Sequence, residues 1–214
     1  MRTIHGSTPL CNACAAGSLD CAKMLLEHGT KVNPSLTALT ASPLHAACIK
    51  GNADIAKLMI AHGVLLEAFD LQFGTPLHAA CATEHVDCAR VLLKAGAKVN
   101  AAKFHETALH HAARVEMVDM IELLVDFGGN VYVTDNDNNK PIDYTKPGSP
   151  TEQCLQYYES TLLSLQQLSR VALRTLLGTR ALEVVAGYQS SGGHRSTGHI
   201  STYHQLHSLR HEGC

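Results

Sequence analysis

The sequence predicts an all-α protein built as a repeat solenoid, and three observations carry that prediction. A short motif recurs at a nearly constant step. Two further residue series keep the same phase behind it. Each unit is too small to bury its own apolar side chains, so neighbours must share one core.

The motif reads Thr75-Pro76-Leu77-His78-Ala79-Ala80, with a near copy at Ser42-Pro43-Leu44-His45-Ala46-Ala47. Related versions are Thr8-Pro9-Leu10-Cys11, Thr107-Ala108-Leu109-His110 and a weakened Lys140-Pro141-Ile142-Asp143. The central apolar residues Leu10, Leu44, Leu77, Leu109 and Ile142 are separated by steps of 34, 33, 32 and 33 residues. Asp20, Asp54, Asp87 and Asp119 each lie ten residues after a central leucine. Gly29, Gly63, Gly96 and Gly128 each lie nineteen after it. This period and this signature are those of ankyrin repeats.

Each residue type has a mechanical reason. Thr8 and Thr75 are placed to cap a helix, with Pro9 and Pro76 at the first helical position, where a missing N–H is harmless. The alanine-rich stretch that follows predicts a thin first helix. A second helix starts near the aspartate, which suits the positive end of its dipole. It carries the apolar pairs Leu25-Leu26, Met59-Ile60, Leu92-Leu93 and Leu124-Val125. The glycine then takes the left-handed conformation that ends the helix. Four units are complete over 2–139 and a fifth is degenerate. In the fifth, Pro147 stops the first helix, and Ser149-Pro150 starts another that ends near Tyr158. No polar capping unit precedes the first repeat, so its apolar edge is either exposed or covered by further repeats.

Composition narrows the function classes. The 214 residues are 45% hydrophobic with a net charge of −2, which offers nothing to nucleic acid or an anionic membrane. No apolar run is long enough to span a bilayer, and residues 1–6 have no signal-peptide character, so the expected location is the cytosol or nucleus. The eight cysteines are then expected to stay reduced. Cys14, Cys48 and Cys81 share one repeat position and Cys21 and Cys88 another, so these five are expected to be small buried apolar residues. His45, His78 and His110 are the motif histidines, expected to bond loop backbone. His28 and His62 sit at helix C-termini, where partial positive charge is favourable. No phosphate loop, nucleophile elbow or metal motif is present. The expectation is a non-enzymatic binding protein without catalytic residues, cofactor or metal.

The repeat period stops near Tyr158. Leu165, Leu168, Ala172 and Leu176 then form an apolar stripe at helical spacing. Gly178 ends this helix, and Thr179 begins a shorter one through Leu182 to Gly187. Such a helix either caps the last repeat or docks into a partner's groove. Repeats followed by Ser164-Leu165-Gln166-Gln167-Leu168-Ser169-Arg170-Val171-Ala172-Leu173-Arg174 resemble the ankyrin repeat and SOCS box family. The segments Gly6-Ser7-Thr8-Pro9-Leu10-Cys11, Asn100-Ala101-Ala102-Lys103 and Glu106-Thr107-Ala108-Leu109-His110-His111-Ala112-Ala113 carry the same likeness.

The resemblance implies a substrate-recognition adaptor of a cullin-RING ubiquitin ligase. Repeats at 2–159 would hold the substrate. A partial SOCS box at 160–187 would bind Elongin C of the Elongin B/C pair. Leu165 matches the leucine that enters an Elongin C pocket, Leu168 and Leu173 match apolar positions of the box, and Arg170 and Arg174 match basic ones. Ser169, Ala172 and Leu176 lie on the same element. Three departures stand out. Ser169 occupies a position that is usually cysteine, and a hydroxyl buried without a partner costs roughly 1–3 kcal/mol. Leu162 replaces a proline common before the box. The Leu-Pro-x-Pro-like segment that engages Cullin-5 is missing, which leaves Cullin-5 recruitment open. The alternatives are an interaction module or a competitor that binds Elongin B/C and substrate without recruiting the cullin. Residues 188–214 read as a disordered tail. Its His204, His207 and His211 share one helical face, but the Gly/Ser content argues against an ordered metal site.

Ankyrin solenoids bind through loop tips and the concave face of their first helices. Candidate substrate contacts are therefore Phe69, Asp70 and Phe73 in one loop, and Phe104 and His105 in the next. Tyr132, Asp135, Asn136 and Asp137 follow in the last full loop. The phenylalanines have an alternative role in packing neighbouring loops together.

Overall fold

The computed structural model describes residues 7–33, 42–161, 168 and 172. The chain divides into two compact units, Met1–Leu182 and Glu183–Cys214, and the second lies outside the described residues.

The expected helix pairs are present. They are α1 (Pro9–Ala16) with α2 (Leu19–Glu27), α3 (Pro43–Lys50) with α4 (Ala53–Ala61), α5 (Pro76–Ala82) with α6 (Val86–Lys94), and α7 (Ala108–Arg114) with α8 (Val118–Asp126). First helices pack on first helices in the order α1, α3, α5, α7, and second helices in the order α2, α4, α6, α8. The caps follow the sequence. The Thr8 hydroxyl accepts from the Cys11 amide at 3.2 Å, and the Ser42 hydroxyl from the His45 amide at 3.3 Å. Asp20, Asp54, Asp87 and Asp119 all fall in the first turn of a second helix. Gly29, Gly63, Gly96 and Gly128 all have the left-handed φ that ends it.

The core is one continuous strip. Leu10, Leu44, Leu77 and Leu109 are fully buried, with Ala13, Ala47, Ala80 and Ala112 behind them. Ile55, Met59, Leu92, Met120, Ile121 and Leu124 complete it from the second helices. Each such large side chain contributes roughly 1.5–3 kcal/mol by leaving water. The degenerate fifth unit closes the strip. Its first helix shrinks to a 3-10 turn at Pro141–Tyr144, and α9 (Pro150–Ser160) starts with the Ser149 hydroxyl accepting from the Glu152 amide at 3.1 Å. Cys154 and Leu155 bury against α8.

Two features differ from expectation. A two-residue-per-strand hairpin, β1 (Ala102–Lys103) with β2 (Glu106–Thr107), interrupts the all-α pattern. Cys21 is exposed, not buried. Its repeat equivalents Ile55, Cys88 and Met120 are fully buried by the unit before them, and among the described residues no unit covers that face of α2. The exposure of Met24, 58%, has the same origin.

Cross-links between units are regular. Ser42 and Thr75 present both an amide and a hydroxyl to Nδ1 of His45 and His78. Thr107 does the same for His110. An Nδ1 that accepts from an amide leaves the proton on Nε2. Nε2 then donates to the next unit, His45 to the Gly74 carbonyl at 2.9 Å, His78 to Glu106 at 3.3 Å and His110 to Asn139 at 3.3 Å. Burial holds all three imidazoles below their usual pKa, which keeps this neutral form. A second ladder runs along the other end of the loops. The Asn33 side chain bonds the Gly63 carbonyl and the Leu65 amide, and Asn100 bonds the Gly128 carbonyl and the Asn130 amide.

Candidate functional site: the finger loops

The loops before each motif project as fingers, and of the three before α5, α7 and the 3-10 turn the middle one turns differently. The finger before α5 closes where Asp70 and Gly74 exchange both backbone hydrogen bonds, at 2.8 and 2.7 Å. Asp70 is buried, and its Oδ1 accepts from the Gln72 and Phe73 amides at 2.8 and 2.9 Å. Gly74 has φ +77°, and a Cβ there would press on the Lys103 and His78 side chains at 3.0–3.2 Å. The last finger repeats the device: Asp135 Oδ1 accepts from the Asp137 and Asn139 amides at 2.9 and 3.0 Å.

The middle finger has no such aspartate, because Lys103 stands in its place. Lys103 pairs directly with Glu106, leaving a two-residue turn of Phe104 and His105. Both are left-handed, at φ +49° and +69°. The finger before α5 has three residues inside its bridge, so this turn absorbs the missing residue of the 32-residue step. A turn with φ > 0 at both central residues favours Asn-Gly, and Phe-His raises its energy by about 1 kcal/mol or more per residue.

A brace stands under this finger. Arg114 donates to both Glu106 oxygens, at 2.8 and 3.4 Å, and its guanidinium lies 4.4 Å from the Tyr144 ring centre. The Arg114 bond holds the Glu106 carboxyl below its ordinary pKa. His111 Nε2 is buried, has no hydrogen-bond partner and sits 3.4 Å from Glu106 Oε2. Burial pulls the His111 pKa down to about 4, and nearby His78 adds to the shift.

The middle and last fingers enclose a shallow cleft of about 270 Å³ lined by Lys103, Phe104, Glu106, Asp135, Asn136 and Asp137. The Asn136 amide ties the fingers by donating to the Phe104 carbonyl at 3.3 Å. The Tyr144 hydroxyl bonds Asp135 Oδ2, which depresses the Asp135 pKa and raises that of Tyr144. The Lys103 ammonium bonds the Gln72 carbonyl, joining the middle finger to the one before it.

Of the sequence candidates, the cleft collects Phe104, Asp135 and Asn136, with Asp137. His105 is exposed beside them at the turn. Phe69 is exposed on the preceding finger, Phe73 is half-buried there, and Asp70 shapes that turn from within. Tyr132 lies apart: its hydroxyl donates to the Glu159 carbonyl at 2.6 Å, and Lys140 sits 5.7 Å from its ring centre, so it braces α9. Leu71 is an exposed apolar residue on the same finger as Phe69, and Leu65 is exposed at the start of that loop; repeat phase singles out neither. Lys103, Glu106 and Arg114 also escaped the motif. The signal that would have found them was the short step. Leu168 and Ala172 are helical and exposed. Leu165, Ser169, Arg170, Leu173 and Leu176 lie outside the described residues.

Four buried thiols, Cys14, Cys48, Cys81 and Cys154, are held protonated. Burial pushes Cys14 and Cys154 up to about 12 and Cys81 higher still, and a shared hydrogen bond raises Cys48 while lowering Cys88. Among the described residues no cluster of three or more His, Cys, Asp or Glu is placed to hold a metal, and no helix is long and apolar enough to cross a membrane.

Stacked helix pairs, a histidine ladder and projecting fingers define an ankyrin-repeat protein, and models of the ankyrin repeat match residues 2–70, 34–103 and 104–136. The ankyrin repeat and SOCS box protein 13 of Mus musculus is 64% identical over 121 residues, 56% of this chain and 44% of that protein. Its Homo sapiens counterpart is 62% identical over the same shares. The crystal structure of the human ASB11 ankyrin repeat domain superposes with a TM-score of 0.70 at 38% identity, covering 76% of this chain and 72% of that one. The chain belongs to the ankyrin repeat and SOCS box family. It spans less than half the length of the curated relatives it matches.

Proposed function

We propose that this chain is a substrate-recognition adaptor of an Elongin B/C–Cullin-5 RING ubiquitin ligase. The observation that carries the reading is a family-type ankyrin ladder followed by the Leu165 to Leu176 stripe. In this reading the finger loops hold a protein substrate, and Leu165, Leu168, Ser169, Arg170, Ala172, Leu173 and Leu176 form the face for Elongin C. The chain supplies position and not chemistry, so no catalytic residue or cofactor is needed. The altered sequence after Gly187 favours a second reading, a chain that binds Elongin B/C and substrate but competes with a cullin-recruiting form.

Binding of the purified chain to Elongin B/C, with and without Cullin-5, tests both. The adaptor reading expects Elongin B/C to bind and Cullin-5 to join. The competitor reading expects the first without the second. Leu165→Asp puts a charge where an apolar side chain would be buried, so affinity for Elongin B/C falls by about 100-fold or more while the repeats stay folded. Undiminished binding by that variant would overturn the assignment of the box.

A further inference from the structure

We propose that the finger before α5, the middle finger and the last finger together bind an extended segment of a partner protein in which a lysine or arginine lies close to a large apolar residue. The inference deepens the adaptor reading and rests on it for the partner being a substrate.

The apolar half of the site is on the surface already. Phe69 and Leu71 are 46% and 54% exposed on one finger, and Phe104 is 63% exposed on the next. Grouped exposed apolar side chains mark interaction surfaces more often than scattered ones do. Phe104 is also held forward by a backbone conformation that an asparagine or glycine would adopt more easily. Neighbouring fingers are tied by Lys103 to Gln72 and by Asn136 to Phe104, so the surface is preformed. Preformed loops lose less entropy on binding.

The polar half sets the charge. Three carboxylates and one ammonium line the cleft beside Phe104. Lys103 turns toward the preceding finger, and Arg114 answers Glu106. Asp135 is bonded only to neutral donors, and none of the ion pairs among the described residues involves Asp137. The cleft is therefore anionic next to an apolar rim. A cationic side chain entering it meets unanswered charge, whereas an acidic one is repelled. Because the two halves sit on successive fingers and not in one deep pocket, the matching ligand is an extended stretch of chain.

The test uses the full chain and arrays of short peptides carrying a leucine or phenylalanine near a lysine or arginine. Control arrays replace the basic residue by glutamate or the apolar one by serine. Selected peptides are then titrated by fluorescence anisotropy. The expected result is selection of the basic–apolar peptides, weakened by salt, with affinity lowered about tenfold by Asp137→Lys and by Phe104→Ser. Asp137 is exposed, so its variant keeps the readout if Phe104→Ser unfolds the finger. Selection of acidic peptides, no selection by folded chain, binding that neither variant moves, or self-association through the same face would each overturn the proposal. No ligase component is present, so this assay fails independently of the Elongin assay.

Discussion

The finger closed by Asp70 and Gly74 and the finger closed by Lys103 and Glu106 perform one task with opposite chemistry. The first satisfies its turn from inside, through a buried carboxylate and a glycine that accepts a positive φ freely. The second lacks both. It forces Phe104 and His105 into left-handed backbone and is supported from below by Glu106, Arg114 and His111. The difference teaches that a relaxed turn is written in its own residues, while a strained one is written in its neighbours. It also places the strain where the exposed aromatic ring is, as functional sites often do.

Three experiments sharpen that contrast. The largest effect concerns His111, whose counterpart under the relaxed finger is Ala79. Its folded pKa is lowered from 6.5 to about 4, so the unfolded chain takes up the proton first as pH falls. Stability is therefore complete above pH 6.5 and declines toward pH 4, by about 3 kcal/mol. Depression of the Glu106 pKa acts in the same direction. Urea unfolding at a series of pH values should show a flatter decline for His111→Ala, and an unchanged slope would remove His111 from the brace. Next, Asp70→Ala strips two amides of their acceptor and should lower stability by about 2 kcal/mol, read from the shift in urea midpoint. The smallest effect has the opposite sign. Phe104→Asn with His105→Gly relaxes the strained turn and should raise stability by about 1 kcal/mol while weakening partner binding. A double variant that gains no stability would show that the turn stores none.

Most of the fold was legible because repetition multiplies weak signals. One Thr-Pro-Leu-His proves little, whereas Leu10, Leu44, Leu77 and Leu109 in phase with four aspartates and four glycines leave one architecture. The site was only partly legible. Phe104, Asp135 and Asn136 stood out as loop residues, but their shared cleft depends on where two fingers meet. Leu65 and Leu71 looked like ordinary apolar residues between motifs. The hairpin was hidden because Phe-His is not a turn signature. Cys21 misled for another reason: its phase predicts burial, and burial at that position is conferred by the unit before it. Asp70 shows the reverse, a polar loop residue with the look of a contact whose carboxylate is already engaged in its own turn.

The histidine ladder has a consequence for how the repeats come apart. Every link from His45, His78 and His110 reaches forward, onto a carbonyl 28 or 29 residues later. The ladder thus has a direction. Opening from the far end takes the acceptor from a buried imidazole, as loss of Asn139 would from His110, whereas opening from the near end removes the donor and its ring together. Amide hydrogen exchange should therefore be slower behind an intact forward neighbour, and the Gly74, Glu106 and Asn139 carbonyls become the latches whose release sets the order.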